Sequence, residues 1–459
     1  MCGVFGIRAP ERDVARVAYF GLFALQHRGQ ESAGIAVSDG GRLTVLRDMG
    51  LVAQVFSEQT LRGLQGDIAI GHTRYSTTGS THWANAQPLV HHGRVRTVAL
   101  GHNGNLTNAE ELRAELTDDG VTVNTTSDSE LIAALIANDP APLPAAVGNT
   151  LDRIEGATTV VALAEGRLLG FRDQHGFRPL ALGRLGDDWV LASESCALDL
   201  VGAKFEREVR PGELVSIDGG LDSHQVADPA RRASCLFEFI YLARPDSRLD
   251  DEEVYAARVR MGEALAREAP VDADLVIPVP DSGTPAAIGF ARASGVAFSE
   301  GLIKNRYVGR TFIQPDQGLR EQGIKLKFNP LGEVAGKRVV VVDDSIVRGT
   351  TMRQLVAMLH EAGATEVHIR VSSPPIVSPC FYGIDFGDDR QLVAAGQAVE
   401  ETRRQIGATS LAHLSLEGVQ QATSRPGSDF CRACFTQEYP TSVPAGRTLA
   451  KFRFEPAAV

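Results

Sequence analysis

Residues 339–351 read Val-Val-Val-Val-Asp-Asp-Ser-Ile-Val-Arg-Gly-Thr-Thr, a run that few backbone arrangements can hold. Four successive β-branched apolar side chains suit a parallel-sheet strand covered on both faces, where no polar alternation is needed. The strand ends at two carboxylates, Asp343 and Asp344, and a small hydroxyl-rich loop with Gly349 follows. Met352, Leu355, Val356 and Leu359 then recur at helical spacing, and Gly363 stands where a helix C-terminus favours glycine. Open α/β sheets bind ligands at the carboxyl ends of their strands, and loop amides at a helix start favour phosphate. Adjacent carboxylates suit hydroxyls or a hydrated Mg²⁺. The run asks for a ligand with a phosphate, a diol and a metal-bound pyrophosphate.

A chain of 459 residues has room for two or more domains. Its net charge of −11 argues against a nucleic-acid footprint or a membrane-surface patch. No apolar run approaches the roughly 18 residues of a spanning helix, and no basic n-region with an apolar h-region opens the chain. Six cysteines in a chain this long are not a secreted disulfide framework. The expected location is the cytoplasm. Residues 140–147, rich in Ala and Pro, read as a surface loop between helices. Between Leu302 and Lys327, six basic residues (Lys304, Arg306, Arg310, Arg320, Lys325, Lys327) face two acids (Asp316, Glu321), a balance suited to an anionic ligand.

The N-terminal half carries a second set of reactive groups. Cys2 follows Met1, and cysteine is small enough for that methionine to be removed. The exposed residue then holds a thiol of reference pKa about 8.5 beside an amine of about 7.7–8.0 that can act as its base. GHTRYST (71–77) follows a short apolar strand, with Arg74 at its end, and GHNGN (101–105) follows Val98-Ala99-Leu100. A glycine-flanked asparagine can supply both a side-chain donor and an open backbone N–H, the two parts of an oxyanion hole. SDSE (127–130) precedes the apolar helix Leu131–Ile136, so Asp128 either caps that helix or binds an ammonium group. Arginine pairs with a carboxylate in bidentate fashion, which lysine cannot do. Thiol, oxyanion hole, Arg74 and Asp128 together describe an amino-acid amide substrate, with glutamine the obvious candidate.

MCGVFGI, LQHRGQESAGI (25–35), GHTRYST, NAQP (85–88), GHNGN and SDSE resemble the N-terminal-nucleophile glutaminase domain of class II amidotransferases. VVVVDDSIVRGTT resembles the 5-phosphoribosyl-1-pyrophosphate (PRPP) loop of type I phosphoribosyltransferases. With RPDS (244–247), VPDSG (279–283) and KNRYVGRTFIQP (304–315), the chain from residue 2 to about 440 is similar to the glutamine phosphoribosylpyrophosphate amidotransferase family. The resemblance implies Cys2 as nucleophile, Asn103 and Gly104 as the oxyanion hole, and Arg74 and Asp128 on glutamine. It implies Mg²⁺ at Ser282, Asp343 and Asp344. The 5-phosphate would lie on Ser345, Arg348, Gly349, Thr350 and Thr351, with Lys304 and Arg310 on a loop closing over PRPP. It further implies the first step of purine biosynthesis, purine nucleotides as feedback inhibitors and a homotetramer. The alternative is a PRPP-sensing regulator with vestigial catalytic parts, against which the intact motifs of both halves weigh.

A change of pattern near 219–234 divides the chain. Residues 2–230 are expected to form an αββα sandwich, as the resemblance implies, and residues 231–459 a parallel sheet with covering helices. The expected strands there are 275–279, 339–342 and 366–372. RDQHGFRPL (172–180) reads as a structural turn in which Arg172 and Arg178 need not touch substrate.

Cys431-x-x-Cys434 could be a redox pair, a zinc site or cluster ligands, and spacing does not choose. CLFEFIYLARPDS, SPCFYGIDF and CRACFTQEYP resemble the family's cluster-bearing branch, which implies a 4Fe-4S cluster on Cys235, Cys380, Cys431 and Cys434. That branch often carries a short propeptide before the nucleophile, whereas here Met1 alone precedes Cys2. Cys196 is expected to be a buried small hydrophobe.

Overall fold

The computed structural model describes residues 1–306, 324–386, 391–443 and 454. The first half supplies thirteen strands: β1 (Gly3–Arg8), β2 (Ser32–Asp39), β3 (Arg42–Met49), β4 (Ile68–Arg74), β5 (Leu89–His92), β6 (Thr97–Leu106), β7 (Gly156–Ala164), β8 (Arg167–Arg172), β9 (Ala181–Leu185), β10 (Asp188–Ala192), β11 (Lys204–Glu208), β12 (Glu213–Asp218) and β13 (Gly220–Gln225). They form a seven-stranded sheet ordered β11-β9-β10-β1-β4-β2-β3 and a six-stranded sheet ordered β13-β12-β8-β7-β6-β5. Successive strand side chains point to opposite faces. Val4, Ile68 and Ile70 therefore meet Ala99, Val161 and Leu168 in the layer between the sheets. Phe5 and Ile7 face outward, beneath Leu22 of the helix Val14–Ala24 and Leu198 of the helix Ser195–Val201. On the other side Leu100, Val160 and Ala162 are covered by the helices Ala109–Asp118, Ser129–Asn138 and Leu143–Arg153. The result is the four-layer αββα sandwich.

Two local expectations need correction. Residues 140–147 are not one loop, because a helix begins at Leu143 with Pro144 in its first turn. Proline loses no helical hydrogen bond there, so the composition that reads as a loop marks a helix start. Nor does GHNGN follow its strand. β6 continues through it, with Asn103 opposite Thr159 and Gly104 opposite Thr158 on β7. Glycine is required at 104, since a Cβ would lie 1.9 Å from the Ala157 carbonyl oxygen.

The second half holds a parallel sheet of four strands among the described residues, ordered Leu275–Pro278, Arg338–Asp343, Glu366–Val371, Ser410–His413. Val339 and Val341 pack on Leu355 and Leu359 of the helix Thr350–Glu361. Val340 and Val342 pack on Ala287 and Phe290 of the helix Thr284–Ser294. Burial on both faces explains the unbroken valine run. Ser234–Cys235 pairs in parallel with Phe430–Cys431. One apolar cluster joins the halves, bringing Met1, Ala157 and Phe177 together with Phe237, Tyr382 and Val340. No helix among the described residues is long and apolar enough to cross a membrane.

Candidate functional site

At the start of β1, the Cys2 backbone N–H donates to Asn103 Oδ1 at 3.2 Å, and the thiol lies 3.5 Å from the Tyr75 carbonyl oxygen. Asn103 is buried, and its Nδ2 has no acceptor among the described residues. A buried donor without an acceptor is uncommon and costly. An oxyanion forming beside Cys2 would satisfy it. Burial raises the thiol pKa, against the pull of the chain terminus, the Tyr75 hydrogen bond and Arg74. The same burial pushes the Met1 amine down to about 5, so at neutral pH it is an uncharged base.

Arg74 ends β4 and is buried, its guanidinium donating to the carbonyls of Ser80 at 3.0 Å, Thr78 at 3.2 Å and Gly79 at 3.3 Å. The loop after β4 is thus wrapped around this cation. Glu31 accepts from the Ser76 backbone N–H and hydroxyl, both at 3.0 Å, and fixes the same loop from the LQHRGQES segment. Asp128 precedes the helix Ser129–Asn138 but makes no side-chain cap bond to it. Its carboxylate instead accepts the Leu106 backbone N–H at 2.9 Å, which leaves capping out. NAQP positions both neighbours: Gln87 donates to Ser129 Oγ at 2.9 Å and accepts the His102 backbone N–H at 2.8 Å.

At the carboxyl edge of the parallel sheet, Asp343 ends its strand and accepts the Asp344 backbone N–H at 2.9 Å. Asp344 accepts the Ser345 hydroxyl at 2.5 Å and also that of Ser282 from the VPDSG loop. Burial raises the pKa of both carboxyls, and the charge of Asp344 raises Asp343 further. Two carboxylates and a hydroxyl form a donor set suited to a hydrated Mg²⁺. From Ser345 to Thr351, no backbone N–H donates a hydrogen bond among the described residues. Ile346 is anchored in the core, Gly349 turns at φ +71 to start the helix, and Arg348, Thr350 and Thr351 are exposed. Free amides, hydroxyls and a helix N-terminus make an anion cradle. Lys304 reaches the same edge, 2.6 Å from Asp281. Arg310 lies outside the described residues.

The Cys235 and Cys431 backbones are paired in register, and Cys434 carbonyl oxygen accepts the Val377 backbone N–H at 2.9 Å. Cys380 Sγ accepts the Tyr382 backbone N–H at 3.4 Å. None of the four is in a disulfide. Burial raises Cys235 to about 11 and also raises Cys431 and Cys434, with each of these thiols lifted further by others of the four. Arg178 stays charged against its own burial because Cys235, Cys380 and Glu238 lie near it. A fixed cation beside Cys235 and Cys380 suits an anionic, thiolate-bound group. No three His, Cys, Asp or Glu among the described residues are spaced to hold a single metal ion. Cys196 is buried apart from this set, near Glu194.

Sequence reasoning missed the polar links between the halves. Arg28 pairs with Glu194 and, at 2.7 Å, with Glu238, which lies 3.5 Å from Arg178. Arg178 in turn donates to the Tyr382 carbonyl at 2.6 and 3.0 Å. Arg178 is thus a clasp between the halves as well as a turn residue. Arg258, buried on the helix Val254–Glu268, holds the carbonyls of Phe239 and Ala243 at 2.8 Å each.

Residues 72–200 match a glutamine amidotransferase domain model and residues 252–373 a phosphoribosyl transferase domain model. An amidophosphoribosyltransferase of Synechocystis sp. is 53% identical over 99% of this chain and 94% of its own. One from Bacillus subtilis is 48% identical over 96% of this chain and 94% of its own. A solved structure of the B. subtilis glutamine PRPP amidotransferase, complexed with ADP and GMP, superposes with TM-score 0.92 at 46% identity, covering 98% of this chain and 100% of that one. Identity at this level over nearly the whole length leaves one conclusion: the chain belongs to the amidophosphoribosyltransferase family.

Proposed function

We propose that this enzyme converts PRPP, glutamine and water to 5-phosphoribosylamine, glutamate and pyrophosphate, the first step of purine biosynthesis. One observation carries the reading: the apolar cluster that encloses Met1, next to Cys2, also contains Val340 and Val342 beneath the Asp343–Asp344 loop. A thiol site and a diphosphate-type site back onto one core, as transfer of ammonia between them requires.

With Met1 removed, the Cys2 amine takes the thiol proton and the sulfur attacks the glutamine carboxamide carbon. Asn103 Nδ2 and the Gly104 N–H hold the oxyanion, while Arg74 and Asp128 hold the substrate carboxylate and ammonium. The carbon–nitrogen bond breaks, the amine returns its proton to the departing ammonia, and water then hydrolyses the thioester. At the second site, ammonia attacks C1 of PRPP and pyrophosphate leaves. Ser345, Arg348, Gly349, Thr350 and Thr351 hold the 5-phosphate; Lys304 and Arg310 steady the leaving group. Mg²⁺ bound at Ser282, Asp343 and Asp344 would neutralise the diphosphate. Residues 2–230 are the glutaminase unit and 231–459 the phosphoribosyltransferase unit.

Cys235, Cys380, Cys431 and Cys434 would hold a 4Fe-4S cluster of structural or regulatory role, since neither reaction transfers an electron. The location is cytoplasmic and the assembly a homotetramer. Purine nucleotides inhibit, a reading supported by the nucleotides in the B. subtilis structure. Pyrophosphate release from PRPP and Mg²⁺, with glutamine or ammonium as nitrogen donor, tests the whole scheme. Release with both supports it. Release with ammonium alone locates the fault at Cys2, and silence with both favours a PRPP-binding regulator.

A further inference from the structure

We propose that Asn105 is a positioning residue for glutamine hydrolysis, tying the oxyanion strand and the Arg74 loop to the segment 378–386 of the other half. The inference rests on the assignment of Cys2, Asn103 and Arg74 to glutamine.

Asn105 is buried on β6, two residues beyond Asn103 and so on the same strand face. Its Nδ2 donates to the Phe381 carbonyl at 3.0 Å, across 276 residues of sequence. A carbonyl oxygen can only accept, so this bond fixes which end of the amide faces Phe381. Oδ1 must then face Thr78, whose hydroxyl donates to it at 2.7 Å. Thr78 belongs to the loop whose carbonyls hold the Arg74 guanidinium. One side chain therefore joins three things: the strand carrying Asn103, the loop carrying Arg74, and a carbonyl of the partner half.

The next two residues of that segment are engaged as well. Tyr382 stacks on Phe177 at a centroid distance of 4.3 Å, and its carbonyl is held by Arg178. Gly383 lies against the peptide that joins Gly104 to Asn105, since a Cβ there would come 3.1 Å from the Gly104 carbonyl oxygen. A shift of residues 381–383 is transmitted to Gly104 by contact and to the Arg74 loop through Asn105. Displacements of about 1 Å at such groups can cost about a hundredfold in rate. The glutamine site is thus completed only when the segment from the other half is seated.

The test uses the full-length chain with Asn105→Asp, which replaces the donor by an oxygen facing the Phe381 carbonyl, and Thr78→Val, which removes the hydroxyl donor without burying a charge. We expect Asn105→Asp to lower glutaminase kcat about ten- to a hundredfold. Thr78→Val should act mainly through a raised KM for glutamine, because Arg74 holds the substrate rather than the oxyanion. Ammonium-dependent pyrophosphate release should stay within about twofold of the parent in both variants, as should alkylation of Cys2 by iodoacetamide, which needs neither donor. If Asn105→Asp fails to fold, Thr78→Val decides alone. Glutaminase within about twofold of the parent in every variant that folds overturns the proposal, as does a parallel fall of both activities. A parent protein that uses ammonium but hydrolyses no glutamine removes the assignment of Cys2 and this inference with it.

Discussion

The side-chain oxygen of Asn103 lies 3.2 Å from the backbone nitrogen of Cys2, 101 positions away in sequence. That bond turns the other end of the amide into a buried donor with nothing to bind among the described residues. Cys2→Ala is expected to abolish glutamine-dependent synthesis and spare ammonium-dependent synthesis. Asn103→Ala should cost about 10²–10³ in glutaminase kcat, the usual scale for one oxyanion donor. Steady-state rates with each nitrogen donor check both, and loss of the ammonium reaction in Cys2→Ala would remove the thiol from this role.

Met1 stands between Cys2 and any free α-amine, and its side chain is buried in the cluster that joins the halves. Protein that keeps Met1 is expected to hydrolyse no glutamine, because the base and the thiol then sit on different residues. Intact mass, read beside glutaminase activity, decides the matter; full activity with Met1 retained would contradict it.

Asp343→Asn and Asp344→Asn should each lower pyrophosphate release by at least about 10²-fold with either nitrogen donor, since both reactions converge on one PRPP site. Glutaminase measured without PRPP should change little. A loss confined to the glutamine-dependent reaction would argue against this placement.

Burial of His72 lowers its pKa from 6.5 to about 3. The unfolded chain takes up this proton first, so the contribution to stability is whole above about pH 6.5 and drains away as the pH falls toward about 3. The slope from this one group approaches about 1.4 kcal/mol per pH unit. Urea unfolding between about pH 7 and pH 5 should show a flatter pH dependence for His72→Asn than for the parent. Equal slopes would mean that His72 is not held neutral.

Iron and acid-labile sulfide are expected in anaerobically purified protein, with Cys434→Ser losing both and melting lower. Ligation must displace protons from thiols whose pKa burial has raised, so loading should weaken as the pH falls. Stoichiometric zinc without sulfide would refute the cluster.

Much of this was legible in sequence where neighbours in the chain are also neighbours in space. The strand, carboxylates and hydroxyl-rich loop of 338–351 are contiguous, so periodicity and composition mark all of them. Asp128 was ambiguous, because a carboxylate before a helix looks the same whether it caps or reaches across, and only its bond to Leu106 separates the two. Arg28, Arg178 and Asn105 lie in motifs that stand out in sequence, but nothing local points to their partners. Their partners Glu194, Tyr382 and Phe381 lie 166, 204 and 276 positions away, and a buried arginine reads like an exposed one until its acceptors are known.

The two-residue strand pair Ser234–Cys235 with Phe430–Cys431 has a consequence for biogenesis. Its first member leaves the ribosome before the parallel sheet has been made, and its second after the whole sheet is complete. Ser424, whose backbone N–H donates to Glu252 at 2.9 Å, spans almost as much sequence. Contacts of such high order form late and slowly. A chain halted before Phe430 leaves Cys235 without its pairing strand, so closure of this seam waits until residue 430 has been made.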